Sequence, residues 1–306
     1  MPTTHRKCCS SQLREAVQGF CYIAPWLIGF VIFLLGPGLC SLVLSFFSWD
    51  LFSPPKFVGV SNYVRLFAAD PTFLRALSNT FWFVAVSATL SILLALMLAV
   101  LLNENSRLMY LLRTVFYVPS VVSGIAVAIV WSWVFAPDFG ILNYFLSLLG
   151  IQGPNWLGDP AWAPWAFIII MSTTFIGAPM IIFISGLQNI PRYLYEAASI
   201  DGAKGRQRFF HITLPSLSPV ILFNTITMLI GAFRVFVQAY TIAGKDGYPA
   251  KSLMFYVMYL YKKGFAQMKM GEASAMAWVF FVIVFLLTAL ILRISRSQIY
   301  YETERR

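Results

Sequence analysis

Long stretches without a charged residue dominate this 306-residue chain and limit what it can fold into. A helix needs about 20 mainly apolar residues to cross a bilayer. The lipid offers no other partner for the backbone polar groups, so each such stretch must be helical. The sequence therefore predicts an all-α polytopic membrane protein with six transmembrane helices. The six stretches are 20–47, interrupted by Gly36-Pro37-Gly38, and those between Arg75 and Glu104, Arg113 and Asp138, Asp159 and Arg192, Arg208 and Lys245, and Glu272 and Arg293.

The composition excludes a soluble or a disordered chain. Only 11% of the residues are charged and 59% are hydrophobic, whereas soluble domains average about 25% charged residues. The net charge of +10 would suggest nucleic-acid binding in a soluble protein, but in a membrane protein Lys and Arg collect on the cytoplasmic side. We therefore predict a multi-pass protein surrounded by a lipid bilayer, with no nucleic-acid partner.

The basic residues of the short connections predict the orientation of the spans. They occur in both tails, between spans 2 and 3 at Arg107 and Arg113, and between spans 4 and 5, whereas residues 137–162 between spans 3 and 4 have none. Both termini are therefore predicted to be cytoplasmic. The connection between spans 5 and 6 disagrees with this orientation, because it would lie outside and yet is rich in lysine. An even number of spans with two basic tails nevertheless favours cytoplasmic termini. That connection carries Lys245, Lys251, Lys262, Lys263 and Lys269.

This orientation divides the chain into five segments. The stretch 252–261 is apolar but too short to span, so it is predicted to be interfacial, re-entrant or packed on the bundle. The five segments are a cytoplasmic tail (1–19), a first transmembrane helix (20–47), an external segment (48–75), a core of five transmembrane helices (76–292) that includes residues 188–215, and a cytoplasmic tail (293–306).

The cytoplasmic connection between spans 4 and 5, residues 188–215, differs from a plain linker. Pro191 suits the first turn of a helix, and residues 193–200 are mostly helix formers. Asp201-Gly202 is a stop signal, because glycine readily takes the left-handed conformation at a helix end. A second short helix can follow before Pro215 opens the fifth span. The apolar side chains of this connection favour docking to a partner protein over a solvated loop. They are Tyr193, Leu194, Tyr195, Phe209 and Phe210.

A spaced pattern in the same connection carries a family resemblance. Glu196-Ala197-Ala198 is followed after three residues by Gly202, after nine more by Ile212 and after one more by Leu214-Pro215. This pattern resembles the EAA loop in the permease subunits of bacterial binding-protein-dependent ABC importers. The chain is most similar to the first of two permease subunits of glycerol-3-phosphate and maltose/lactose-type systems. Shorter segments that resemble this carbohydrate branch are 22–27, 45–50, 58–63, 79–80, 117–119, 139–143 and 186–191.

The resemblance implies a function and a set of partners. The chain would form half of the translocation pathway for a sugar or sugar-like solute, in the disaccharide, oligosaccharide or glycerol-3-phosphate class, in a bacterial cytoplasmic (inner) membrane. Its partners would be a second, distinct permease subunit, an ATPase dimer and an extracytoplasmic solute-binding protein. ATP and Mg would be bound by the ATPase, and no cofactor by this chain. The EAA helix would couple the ATPase to alternating access through Glu196, Ala197, Ala198, Asp201, Gly202, Ile212, Leu214 and Pro215.

Polar residues inside the predicted spans are candidates for the solute pathway, because such residues are costly in lipid. Asn224 and Gln238 of the fifth span are 14 residues apart, and Arg234 lies four residues before Gln238, so a continuous helix would place all three on one face. A mixture of polar and aromatic groups suits sugar binding. The alternatives are hydrogen bonding between helices and, for Arg234, snorkelling to the interface. The candidate set is completed by Phe233, Tyr240 and Thr174.

The sequence contains no recognisable catalytic or metal-binding motif. It has no Gly-x-x-x-x-Gly-Lys-Ser/Thr loop, no His-Glu-x-x-His and no Gly-x-Ser-x-Gly, and its two histidines, His5 and His211, are far apart in sequence. The chain is therefore predicted not to be an enzyme and to bind no metal, with ATP hydrolysis on a partner. Two alternatives remain: a permease of the same superfamily for a non-carbohydrate solute, and a channel, which needs no coupling loop.

Overall fold

The computed structural model describes residues 5–295, which are mostly helical. These residues form two compact units, a smaller one of 5–65 with 263–278 and a larger one of 66–262 with 279–295. The predicted tail 293–306 therefore lies mostly outside the described residues, as do residues 1–4. The predicted all-α class is observed, apart from one short hairpin of two strands in the smaller unit.

The elements are fifteen α-helices, two short strands and three π-helical turns within residues 5–295. In chain order they are α1 His5–Phe30, a π turn Val31–Leu35, α2 Gly36–Leu44, β1 Phe47–Ser48, β2 Lys56–Phe57, α3 Ser61–Ala68, α4 Pro71–Leu101, α5 Arg107–Val121, α6 Gly124–Val134, α7 Ile141–Leu148, α8 Ala163–Gln188, α9 Arg192–Ile200, α10 Gly205–Arg208, a π turn Phe209–Thr213, α11 Leu214–Ser216, α12 Ser218–Phe233, α13 Val237–Ala243, α14 Tyr256–Tyr261, a π turn Lys262–Ala266 and α15 Met270–Ser295.

Five of the six predicted spans have a counterpart that is long and apolar enough to cross a membrane, within the part of the chain that the structure describes. The third predicted span is instead a pair of helices, α5 and α6, bent by 106°. Val122 and Ser123 between them are extended, with ψ of 143° and 133°. Pro119 in the last turn of α5 has no amide proton, which weakens the helix just before the bend. The five counterparts are Gln18–Leu44, Pro71–Leu101, Ala163–Gln188, Ser218–Ala243 and Met270–Ser295.

The predicted break of the first span at Gly36-Pro37-Gly38 is not observed. Gly36 is helical, with φ −58° and ψ −60°, and its amide donates to the carbonyl of Val31. The π turn before it shifts the hydrogen bonds by one residue around Pro37, which has no amide proton to give. The helix ends at Leu44, earlier than the predicted end at Phe47, which lies in β1.

A buried carboxylate holds the smaller unit together. Glu272 in the first turn of α15 has a 5% exposed side chain and lies 2.9 Å from Arg65 and 2.7 Å from Lys263. The ammonium group of Lys269 is 3.7 Å from the same carboxylate. Lys263 is also buried, so each member of this pair compensates a charge that would be costly alone. Two of the lysines that disagree with the predicted orientation therefore have a structural role.

The larger unit is built around α8, which packs against α4 and α5, while α12 packs against α4 and α8. Small residues allow α4 to approach closely, since Ser87, Ser91 and Ala95 are fully buried. Ala95 forms an apolar cluster with Met180 and Phe183 of α8. The interior of this unit is thus formed where α4 and α8 pack closely together, and both helices are long and apolar enough to be membrane spans.

The stretch 252–261 is packed on the bundle, one of the three predicted alternatives. Tyr256 at the start of α14 is buried, and its amide donates to the hydroxyl of Thr80 on α4 at 2.8 Å. The hydroxyl of Tyr259 donates to the carboxylate of Asp70 at 2.6 Å. These contacts fix α14 against the N-terminal part of α4.

The connections between spans 3 and 4 and between spans 5 and 6 lie at the same end of the larger unit. Asn79 near the start of α4 donates to the carbonyls of Lys251 and Met254. Pro160, just before α8, lines the same cavity as Ser252. From that end, α8 extends for 26 residues, about 39 Å at 1.5 Å per residue, to the start of the connection 188–215. The connection between spans 5 and 6 is therefore at the opposite end of α8 from 188–215.

Candidate functional site

The connection 188–215 forms a helix, a glycine turn and a second helix, in the order expected from the sequence. Pro191 lies at the N-cap of α9, with φ −60° and ψ 130°. It thus precedes the helix rather than occupying its first turn. The EAA residues Glu196, Ala197 and Ala198 lie in the middle of α9. Their positions follow from local preferences, because each is compatible with a helix that begins after a proline.

The turn after α9 closes the helix with a defined set of hydrogen bonds. Asp201 is the C-cap, and Gly202 follows with a φ of +76°. The amide of Gly202 donates to the carbonyl of Ser199 at 3.2 Å, and the amide of Ala203 donates to the carbonyl of Ala198 at 2.9 Å. This pair of bonds defines a Schellman motif, which requires a left-handed residue at the position of Gly202. The position favours glycine, because any Cβ penalises that conformation.

Two side-chain contacts tie α9 to the chain that returns to the fifth span. The hydroxyl groups of Tyr195 and Thr213 are 2.9 Å apart, and the guanidinium of Arg208 donates to the hydroxyl of Ser199 at 3.0 Å. The sequence identified Tyr195 only as an apolar docking residue and Arg208 only as a basic residue before the fifth span, and it did not single out Ser199 or Thr213. Contacts between residues so far apart in the chain leave no local signal. They join α9 to the segment that leads back to the membrane, so that 188–215 connects α8 to α12 as one unit. We refer to these residues as the braced unit.

The surface of this connection combines exposed groups with a shallow groove. Glu196 and Ala197 are exposed, and Ile200 has 88% of its side chain exposed. A groove of about 440 Å³ between α9 and the return segment is lined by residues that include Gly202 and His211. Exposed apolar groups on a polar surface are typical of a docking site. Of the other predicted loop residues, Asp201 and Pro215 are exposed, and Ala198, Ile212 and Leu214 are half-buried.

The continuous helix from which the shared face of Asn224, Arg234 and Gln238 was predicted is not observed. The helix α12 ends at Phe233, Arg234 is its C-cap, and Phe236 has φ −145° and ψ −60°. Because α13 begins only after this break, helical spacing cannot be carried from Asn224 to Gln238. The side chain of Arg234 is exposed.

The polar pathway candidates have different surroundings. Asn224 is fully buried on α12, with its amide nitrogen 3.5 Å from the carbonyl of Pro179 on α8. Its side-chain oxygen and the hydroxyl of Thr174 on α8 are buried and have no hydrogen-bond partner among the described residues. Gln238 lies against Gly124, whose added Cβ would come within 2.8 Å of the Gln238 amide. The structure therefore leaves unsatisfied polar atoms on α8 and α12, whereas Gln238 on α13 lies against α6.

The aromatic pathway candidates belong to two ring clusters. Phe233 is buried and packs edge-on against Phe81 and Phe280. Tyr240 packs against Phe236 and Tyr261. The interior position of Phe233 gives it a packing role, whereas Tyr240 keeps 37% of its surface exposed.

Comparison with known protein families shows to which family the chain belongs. Residues 91–299 match the family described as "Binding-protein-dependent transport system inner membrane component". The chain belongs to this family. The resemblance inferred from the EAA pattern is therefore confirmed, and the chain is a membrane-spanning permease component of a binding-protein-dependent ABC transport system. Members of this family are permeases rather than enzymes themselves.

Two relatives match over nearly the whole chain. The probable ABC transporter permease protein YesP of Bacillus subtilis is 41% identical, with 95% of this chain and 94% of that protein covered. The lactose transport system permease protein LacF of Rhizobium radiobacter is 39% identical, with all of both chains covered. The similarity thus includes both predicted tails and all six predicted spans.

The fold also matches a solved permease. A crystal structure of a bacterial alginate ABC transporter, in complex with an alginate pentasaccharide-bound periplasmic protein, contains a chain with a TM-score of 0.82 and 23% identity. The match covers 94% of this chain and 96% of that one. This likeness establishes the fold of an ABC transporter permease.

Proposed function

We propose that this chain forms one half of the membrane pathway of an ATP-driven importer for a sugar or sugar-like solute. The observation that carries the proposal is the braced unit 188–215 in a chain that matches a lactose permease from end to end. A channel would have no use for such a unit. The solute is proposed to be an oligosaccharide or a glycerol-3-phosphate-like compound, and alternating access is the proposed mode of transport.

Coupling is proposed to occur through α9. The exposed Glu196 and Ala197 would contact a cytoplasmic ATPase, and the Schellman turn at Gly202 would hold the helix at a fixed angle. The contacts of Tyr195 with Thr213 and of Ser199 with Arg208 would pass a movement of α9 to α12, because they join the two arms of the connection. A rigid lever of this kind transmits a displacement that a flexible loop would absorb.

The transporter is proposed to contain a second, distinct permease subunit, an ATPase dimer and an extracytoplasmic solute-binding protein. The family description supports the binding protein, and the alginate transporter was crystallised with a periplasmic protein. ATP and Mg would be held by the ATPase, with no cofactor on this chain. The location is proposed to be a bacterial cytoplasmic membrane, with both termini and 188–215 in the cytoplasm.

The solute pathway is proposed to pass the facing surfaces of α8 and α12. Support comes from the unpartnered side-chain oxygen of Asn224 and the unpartnered hydroxyl of Thr174. Buried polar atoms without partners are costly, so a hydroxylated solute passing between these helices would satisfy them. Arg234, Gln238, Phe233 and Tyr240 would then act nearer the break between α12 and α13.

The proposal is tested by the ATPase activity of the co-expressed complex in nanodiscs, with and without its binding protein, across a panel of sugars and glycerol phosphates. We expect one loaded binding protein to stimulate hydrolysis and thereby to identify the class of solute. If no ATPase subunit co-purifies and no loaded binding protein stimulates hydrolysis, the coupling role of 188–215 is wrong.

A further inference from the structure

A cavity outside both the coupling loop and the predicted pathway lies at the N-terminal ends of α4 and α8. It belongs to the larger unit and has a volume of about 340 Å³. Its lining combines aromatic rings and prolines with a few hydrogen-bonding and charged side chains, and we refer to it as the outer pocket. The lining groups on which the argument depends are Arg75, Ser78, Asn79, Trp82, Trp165 and Ser252.

Two tryptophans provide the aromatic part of the outer pocket. The indole rings of Trp82 on α4 and Trp165 on α8 meet edge to face, with centroids 5.1 Å apart. They remain 38% and 51% exposed, respectively. An interfacial belt facing lipid would also use tryptophan, but these two rings line a cavity that contains hydrogen-bonding groups. Sugar rings present apolar C–H faces and hydroxyl edges, which suit this combination.

The polar part of the outer pocket is held in place by a strained turn. Ala250 and Lys251 have φ of 48° and 62°, a region that residues with a Cβ rarely adopt. The amide of Asn79 holds this turn by donating to the carbonyl of Lys251 at 2.9 Å and to that of Met254 at 3.2 Å. The buried hydroxyl oxygen of Ser252 has no hydrogen-bond partner in residues 5–295. Strain of this kind is found where a loop must present particular groups.

The turn also brings a positive charge to the first turn of α4, one helical turn before Arg75. The ammonium of Lys251 donates to the hydroxyl of Thr72 at 3.0 Å, and residues three apart on a helix are neighbours. Within the described residues, neither Arg75 nor Lys251 forms an ion pair within 4 Å, and the charge of Lys251 contributes at longer range to the lowered pKa of Asp246. The carboxylate of Asp70 is engaged by the first amides of α4 and by Tyr259. Two cations at a helix N-terminus, which is itself positive, favour an anionic ligand.

We propose that the outer pocket is a subsite for an acidic saccharide, through which the solute passes on its way into the transporter. A sugar ring would lie against Trp82 and Trp165, its hydroxyls would bond Ser252, and its carboxylate would bind Arg75 and Lys251. Arginine is well suited to this, because its planar fork matches a carboxylate. The inference rests on the proposed function as a saccharide importer and narrows its substrate to sugars that carry an acid group.

The test uses the complete transporter complex in phosphatidylcholine nanodiscs, without its binding protein. Saturation-transfer difference NMR would compare α-1,4-digalacturonate with α-1,4-galactobiose, which has the same skeleton without carboxylates. We expect ring-proton signals from digalacturonate, and signals about tenfold weaker from galactobiose. Arg75→Gln and Lys251→Gln should each reduce the digalacturonate signal about tenfold, because each removes a charge-assisted bond. Arg107→Gln, an exposed arginine at the start of α5, should leave it unchanged.

Several outcomes would overturn the proposal. They are equal signals from the two sugars, no signal from either, or a digalacturonate signal that survives Arg75→Gln. A digalacturonate signal that phosphatidylglycerol abolishes, but that neither Arg75→Gln nor Lys251→Gln reduces, would place the binding outside the outer pocket and also overturn the proposal. The proposed function fails separately, if no loaded binding protein stimulates ATP hydrolysis by the same complex.

Discussion

Gly202 shows how one backbone conformation can determine the geometry of the proposed coupling element. Its φ of +76° closes the Schellman motif, yet a Cβ at this position would meet no other atom within 4 Å. The constraint is therefore conformational rather than steric. A substitution is expected to cost about 1–2 kcal/mol through the left-handed backbone alone, and asparagine should cost less than a β-branched residue.

A graded series at Gly202 tests this argument. We expect Gly202→Asn to retain ATPase stimulation close to wild type, Gly202→Ala to lose part of it, and Gly202→Val to lose about tenfold, because the penalty rises along this order. Gly205→Ala is the matched control, since Gly205 begins α10, has no neighbour within 4 Å and no positive φ. Stimulated hydrolysis in nanodiscs and co-purification of the ATPase are the measurements. Equal activity in all four variants would contradict a conformational role.

Individual residues also show what could and could not be predicted from the sequence. Gly202 could be identified because the preference for a left-handed glycine depends on the adjacent turn alone. The shared face of Asn224 and Gln238 could not be judged, because it depended on an unbroken helix through Arg234. The nearest weak helix former is Gly231, but glycine is tolerated inside membrane helices, so it did not indicate that α12 ends at Phe233. The bracing contact of Tyr195 with Thr213 and the outer pocket required the folded chain.

At the scale of elements, Arg113 has a structural role that the sequence did not indicate. The sequence analysis used its charge only as evidence for the orientation of the spans. It is 8% exposed, and its guanidinium donates to the carbonyl of Leu102, the C-cap of α4, at 2.9 and 2.6 Å. It also donates to the carbonyl of Glu104 at 3.1 Å. The last carbonyls of a helix lack partners within it, so Arg113 satisfies the end of α4 from α5.

The forked geometry of this cap predicts that lysine cannot replace Arg113. Arg113→Lys keeps the positive charge and the orientation signal but loses the planar fork. We expect the free energy of unfolding to fall by about 1–3 kcal/mol, lowering the Tm of the purified complex by about 3 °C or more. Scanning fluorimetry measures this shift. Arg107→Lys, at an exposed position in the first turn of the same helix, is the control, and an equal loss in both variants would rule out the capping role.

The bounds of an element could be predicted from the sequence where they depend on the length of an apolar stretch. The counterparts of spans 2, 4 and 6 begin and end close to the charges that bound the apolar stretches, because lipid selects length and apolarity. The bend between α5 and α6 was not predicted, although Pro119 and Gly124 are present. Proline and glycine are tolerated inside membrane helices, as Gly36-Pro37 shows, so these residues alone do not determine whether a helix continues.

At the scale of the whole chain, the five lysines between spans 5 and 6 pose the main question about orientation. Lys262 is 2.6 Å from Asp246, which holds the pKa of that carboxyl below its usual value, and Lys263 and Lys269 surround Glu272. Three of the five lysines therefore serve the fold as ion-pair partners. The Asn79 contact with Lys251 places their connection at the end of α8 opposite to 188–215. Both observations support an external connection despite its basic composition.

Cysteine labelling of intact protoplasts tests this orientation. In a chain with Cys8, Cys9, Cys21 and Cys40 replaced by serine, a cysteine would be placed at Lys245 or at Lys204, both exposed. A membrane-impermeant maleimide should label Lys245→Cys in intact cells, and Lys204→Cys only after detergent solubilisation, because the two positions flank opposite ends of α8. The reverse pattern would invert the protein in the membrane. Labelling of both in intact cells would contradict their separation by the bilayer, and with it the docking of α9 on a cytoplasmic ATPase.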